Sequence, residues 1–258
     1  MFETNNTDKK FYIENGYILK NIFKNSQEFV VFSKRFKNEI IRFVKENKIE
    51  KLGGYKSGNL NISPGNFGVE LISMLKVKNF SEYFNFITND KIENYNFLAG
   101  GNLNLPNSKK QFFHTDGKWN PRMIVINIAT SEINLTNGPL EIISKTHLTT
   151  SVYWKFALKV FFLNKKKLTL NMGDVLIREH RLWHRGTCNN SKNSREMIGL
   201  MFIKKSDKSV FFENKKDKEL SIKSNTFGNT LKEQLKEHLF SYFKSIFFLY
   251  KFFISMIK

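Results

Sequence analysis

The sequence predicts a mainly β core, a sandwich or barrel, with helices packed around it. The first observation is a series of short apolar runs between about Asn94 and Lys205: NYNFLAG, RMIVINIAT, PLEIIS, KLTL, DVLI and EMIGLMFIK. The second is the punctuation between them, at Asn107-Ser108, Asn137-Gly138-Pro139, Gly173-Asp174 and Asn189-Asn190. Many short strands broken by such turns argue against a parallel sheet. The third is helical periodicity confined to the flanks of this region.

In chain order, residues 10–19 (KFYIENGYIL) read as a short strand containing an Asn-Gly turn. Residues 26–47 read as an amphipathic helix whose core stripe is Phe29, Val30, Phe32, Phe36, Ile40, Ile41 and Val44. Gly53, Gly54, Gly58 and Gly65 follow; they match no phosphate-binding spacing and read as turns. A second helical segment spans about 69–88, and the β region begins near 94. With no linker and no internal repeat, residues 1–205 form one expected domain, and 206–258 an extension.

The extension ends in HLFSYFKSIFFLYKFFISMIK, with Lys244, Lys251 and Lys258 seven residues apart on one helical face. The uncharged run between Lys244 and Lys251 is far short of the ~20 residues that span a bilayer. The segment 238–258 therefore reads either as a helix packing on its own domain or a second subunit, or as a peripheral membrane contact. In the latter case lysines would face outward and phenylalanines inward.

The 258 residues carry a formal charge of +19, but 35 of the 42 basic residues are Lys. Lys, Asn, Ile and Phe are all abundant, as AT-rich codon usage would produce. The charge therefore names no partner, and no recognised nucleic-acid motif accompanies it. The seven arginines are more selective: Arg178, Arg181, Arg185 and Arg195 fall within eighteen residues. One cysteine, Cys188, excludes an intramolecular disulfide framework and any all-thiolate metal site. The first ten residues hold no apolar segment, so a reducing cytoplasm is the expected location, with the tail at the inner membrane face if it binds lipid.

Among five histidines, His114 has a carboxylate two residues on, in Phe113-His114-Thr115-Asp116. On an extended strand residues i and i+2 share a face, so imidazole and carboxylate could grip one ion. A second apolar segment, from Gly173-Asp174 to Leu182-Trp183, delivers His184 from far along the chain. Two ligands from one strand and a third from another make a facial 2-His-1-carboxylate set. That set leaves adjacent positions open and suits Fe(II) in oxygen activation, whereas a tetrahedral zinc site would leave one. A 2-oxo acid and O2 would fill the open positions. Arg195, eleven residues past His184, would grip the far carboxylate of 2-oxoglutarate if its strand paired beside the His184 strand. Trp119 and Trp183, with Phe113, flank the ligands as candidate pocket walls. His180 is expected in the loop before the ligand strand, and His147 at the surface near the barrel mouth.

Three ordered pieces resemble the phytanoyl-CoA dioxygenase family: QFFHTDG at 111–117, NGPLEIISKTH at 137–147 and GDVLIREHRLWHRGT at 173–187. The middle piece is similar to that family's Gly-Pro-Leu-x-x-x-x-x-Ser-His stretch, with Thr146 in place of Ser. Asn189-x-Ser191-x-x-x-Arg195 resembles the run into its co-substrate arginine. The likeness covers about residues 10–205.

The resemblance implies a double-stranded β-helix (jelly-roll, cupin-like) core and a dioxygenase that uses Fe(II) and 2-oxoglutarate. It implies metal binding by His114, Asp116 and His184 and co-substrate binding by Arg195. Because Asp116 is present, where a halogenating relative has a small residue, it favours hydroxylation. The substrate would be a small molecule, an acyl compound or a glycan- or lipid-linked compound. Some family members carry a hydroxyl residue two positions after the distal histidine; here that position is Gly186, with Thr187 next to it. A non-catalytic jelly-roll binding protein and a basic nucleic-acid-binding module are the competing readings.

Overall fold

The computed structural model describes residues 1–116, 122–149, 152–205, 218–225, 235, 239 and 243–257. In chain order these form α1 (Asn6–Asn15), β1 (Tyr17–Asn21), α2 (Gln27–Glu46), β2 (Asn59–Ser63), α3 (Asn66–Val77), α4 (Phe80–Thr88) and β3 (Tyr95–Asn104). There follow β4 (Met123–Ile128), β5 (Leu140–Ile142), α5 (Tyr153–Lys159), β6 (Lys166–Leu168), β7 (Asp174–Glu179) and β8 (His184–Gly186). The chain continues through β9 (Arg195–Lys204), β10 (Ser221–Lys223) and α6 (Lys244–Ile257).

Two antiparallel sheets face each other. The larger runs β1-β7-β4-β9-β3-β2-β10 and the smaller β6-β5-β8. The segment around His114 adds an edge to the smaller sheet, because His114 and His184 exchange both backbone hydrogen bonds, at 2.9 and 3.0 Å. This arrangement is the expected double-stranded β-helix core.

Alternation along the central strands sorts the interior into two layers. Ile124, Ile126 and Ile128 of β4, Val175 and Ile177 of β7, and Ile198, Leu200 and Phe202 of β9 face the helices. There they meet Phe29, Phe32 and Phe36 of α2, Leu71 and Leu75 of α3, and Phe80 and Phe84 of α4. Each such phenylalanine contributes roughly 1.5–3 kcal/mol on leaving water. The other face of the same strands carries Leu176 and Met197, which pack with Ile142, Leu168 and Leu182 of the smaller sheet region. The site lies in this second layer.

Several local expectations are corrected. Of the strand expected over 10–19, residues 10–15 belong to helix α1 and 17–19 open β1, so Asn15-Gly16 ends a helix and is not a hairpin turn. Gly16 caps α1 at φ 79° with its N–H on the Tyr12 carbonyl. A Cβ at Gly16 would lie 2.4 Å from the His147 ring, so glycine is required on two counts. In α2, Val30 and Ile41 are exposed, which narrows the buried stripe. The helix expected over 69–88 is two helices, broken by Asn79 in the left-handed region. The glycine-rich stretch contains a strand, β2. Finally, β10 pairs with β2 at the edge of the larger sheet, so part of the expected extension is built into the core.

Candidate metal centre

His114, Asp116 and His184 converge on the inner face of the smaller sheet. One ligand atom from each lies within 4.8 Å of the others. The paired backbones of His114 and His184 set their rings side by side, with centroids 4.5 Å apart. Asp116 follows on the same face, its N–H donating to the His180 carbonyl at 2.9 Å.

Both imidazoles are oriented alike. Nδ1 of His114 lies 2.8 Å from the Phe112 carbonyl, and Nδ1 of His184 lies 2.8 Å from the Leu182 carbonyl. A carbonyl only accepts, so each Nδ1 carries a proton and Nε2 is the nitrogen left to face a metal. That is the tautomer a metal ligand needs. Nε2 of His184 stands 3.6 Å from Asp116 Oδ1.

The carboxylate is held by a partner that the sequence reasoning did not assign. Arg178 of β7 places Nη2 2.6 Å from Asp116 Oδ2. Its Nε donates to Asn127 Oδ1 on neighbouring β4 at 2.9 Å. Burial alone would raise the Asp116 pKa, but Arg178, His184 and His114 together hold it well below the usual carboxylate range. Burial and then the Arg178 charge push His184 down to about 3, so it is neutral at physiological pH. The centre thus sets an anionic carboxylate beside the neutral His184 imidazole. This donor set fits a divalent borderline metal such as Fe(II).

Arg195 reaches the same interlayer space by a different route from the one expected. Its strand, β9, pairs with β3 and β4 of the larger sheet, not with β8. The arginine therefore approaches from the opposing sheet. It is 4% exposed, and its Nη2 donates to the Gly138 carbonyl at 2.8 Å. Its Nε and Nη1 are buried without a partner, and so is Nη1 of Arg178. Burial lowers the Arg195 pKa to about 10, against the opposing effect of Glu196, which still leaves it charged. Buried guanidinium groups with unused donors cost free energy unless an anion meets them.

Trp183 belongs to the other face of the strand. It stacks on Phe156 of α5 at 3.8 Å and packs with Phe113 and Ile143. It seals the smaller sheet from outside rather than standing beside the ligands. Trp119 lies outside the described residues, as does His238. His147 is buried, not at the surface, with Nε2 3.0 Å from the Ile13 carbonyl. His180 is fully buried, with Nδ1 3.0 Å from the Met123 N–H. The Thr187 hydroxyl donates to the Pro139 carbonyl at 2.7 Å, which commits its proton to the backbone.

No curated protein matches the chain at a significant level. Solved structures do resemble it. The carbocyclase SnoK of nogalamycin biosynthesis, described as non-heme and α-ketoglutarate-dependent, aligns with a TM-score of 0.60 at 13% identity, over 78% of this chain and 84% of its own. EctD from S. alaskensis, solved with 2-oxoglutarate and 5-hydroxyectoine, gives 0.61 at 14% identity, over 79% and 77%. The epimerase SnoN, solved with Fe3+, α-ketoglutarate and nogalamycin RO, gives 0.59 at 11%, over 77% and 82%. At such identities the likeness establishes the fold. The family match is made by sequence and covers residues 92–197, which contain β3 to β8, all three converging ligands and Arg195. Over that stretch the chain matches the model of the phytanoyl-CoA dioxygenase family.

Proposed function

We propose that this chain is an Fe(II)- and 2-oxoglutarate-dependent oxygenase, with iron held by His114, Asp116 and His184. The observation that carries the proposal is the pairing of a preset donor triad with a buried arginine whose donors are unused. Arg195 offers Nε and Nη1 to the far carboxylate of 2-oxoglutarate, and its burial excludes water from that contact. Iron with 2-oxoglutarate supplies the oxidising chemistry, in which O2 and the oxo acid are consumed, succinate and CO2 are released, and one oxygen atom is left for the substrate.

The residues of the chain do the rest. Arg178 keeps Asp116 ionised and fixes its Oδ2, which leaves Oδ1 toward the histidines. Leu182 and Phe112 carbonyls lock the two rings. The Phe113–Phe156–Trp183 stack closes the sheet from outside. The overall balance for hydroxylation is R–H + O2 + 2-oxoglutarate giving R–OH + succinate + CO2. Hydroxylation is the proposed outcome because Asp116 occupies the carboxylate position. The structural relatives include a carbocyclase and an epimerase, so placement of the substrate C–H bond decides the product. The proposed substrates are small molecules, including acyl and glycan- or lipid-linked ones.

The test is anaerobic reconstitution with Fe(II) and 2-oxoglutarate. The expected result is the visible charge-transfer band of the chelate, absent in Asp116→Ala and weakened in Arg195→Ala. Admission of air should then yield succinate. An iron-loaded wild-type protein without the band would overturn the assignment and leave a jelly-roll binding protein.

A further inference from the structure

The terminal helix α6 packs one side against α5 and leaves an apolar face open to solvent. Ile246, Leu249, Phe253 and Met256 recur three and four residues apart, so they share one helical face. They are 44%, 51%, 57% and 55% exposed. The packed side bears Phe247, stacked on Phe112 at 3.9 Å, and Ser255, whose hydroxyl accepts from the Trp154 N–H at 2.9 Å. Lys251 is exposed, one turn on from Phe247, its Nζ 5.6 Å from that ring centre. The short turn of 3-10 helix that follows α5 carries Phe161 and Phe162, 76% and 88% exposed. Two neighbouring helices thus present large apolar side chains to solvent, beyond the scattered single residues normal for a surface.

The chain segments that build this face carry charge of one sign. From Ile142 to Gly173 there is no Asp or Glu, against six Lys: 145, 155, 159, 165, 166 and 167. From His238 to Lys258 there is again no acid, against Lys244, Lys251 and Lys258. Lys155 and Lys159 are exposed on α5 on either side of exposed Leu158. A second copy of the chain would bring the same positive field against itself, which disfavours dimerisation through this face. An anionic lipid surface satisfies both features, with aromatics in the acyl boundary and lysines at the headgroups. No described helix is long and apolar enough to cross a membrane, so the helices would lie on the surface.

We propose that α5, the turn after it and α6 form a docking face for an anionic lipid surface. The face adjoins the candidate metal centre: Phe112, which stacks on α6, is two residues from His114, and Phe156 of α5 stacks on Trp183, next to His184. Docking would bring the centre close to the headgroup layer. The docking face does not depend on the oxygenase assignment, and its test reads binding rather than turnover.

The experiment is flotation of the full-length protein with phosphatidylcholine vesicles, with and without phosphatidylglycerol, over a salt series. Binding is expected with phosphatidylglycerol, weak with phosphatidylcholine alone, and falling as salt rises. Phe161→Ser with Phe162→Ser, and separately Lys159→Glu with Lys165→Glu, should each weaken binding at least about tenfold. These exposed positions should leave thermal stability and the charge-transfer band unchanged. Failure to float with anionic vesicles at low salt would overturn the proposal, as would binding indifferent to both pairs. Sedimentation equilibrium showing a dimer that the phenylalanine pair dissolves would assign the face to a second copy instead.

Discussion

The two faces of the smaller sheet use the same strands for opposite purposes. On the outer face Phe113, Ile143 and Trp183 meet Phe156 in a dry stack. On the inner face lie the alternate residues His114, Asp116 and His184, with Arg178 on Asp116, and the guanidinium groups of Arg178 and Arg195 keep unused donors. The outer face is apolar but for the Trp183 indole N–H, which is buried without a partner, whereas the inner face gathers charged groups around several unused donors. The comparison teaches where to look for a ligand: at buried polar groups whose geometry is fixed while their bonding is unfinished.

If the inner face is built for iron and an oxo acid, its members should fail in graded fashion. Asp116→Ala removes the only anionic donor and should lower Fe(II) affinity by more than about 100-fold, read by anaerobic metal titration. Arg195→Ala should raise the 2-oxoglutarate dissociation constant by about 100-fold with Fe(II) affinity little changed. Arg195→Lys should recover only part of that loss, since an ammonium cannot reproduce the fork. Arg178→Met leaves Asp116 without its cation and should weaken metal binding by roughly 10–100-fold, with a smaller effect on 2-oxoglutarate. At the other extreme, Phe156→Ala should leave metal binding unchanged while destabilising the fold by about 3–5 kcal/mol. A Phe156→Ala protein that folds normally but loses iron would break the distinction between the faces.

Much of this organisation is legible in the chain itself, because strand alternation converts His114-Thr115-Asp116 directly into two groups on one face. His184 follows from the second apolar segment, and the helix α2 from its phenylalanine spacing. What escaped reading depends on pairing between distant segments. Arg178 meets Asp116 only because β7 and the His114 edge belong to opposing sheets, and no local pattern states that. The same jelly-roll crossing places Arg195 on a strand of the larger sheet rather than beside the His184 strand. His147 is buried because α1 ends against it, and α1 itself was hidden by Asn15-Gly16, a pair equally at home in a hairpin and at a helix terminus.

The segment bearing His114 and Asp116 is fastened to the smaller sheet by backbone bonds at His114, Asp116 and Gln111, each reaching the stretch from His180 to Gly186. An ion shared by His114, Asp116 and His184 would tie these same two stretches together a second time, across the long intervening chain. In thermodynamic terms the metal would act as a removable cross-link, closing a large loop much as a disulfide does, in a chain with one cysteine. Saturation at a hundred times the dissociation constant would add about 2.7 kcal/mol to the free energy of unfolding. Chelation should then appear as a lowered melting temperature and faster hydrogen exchange along residues 111–116, well before any assay of turnover registers it.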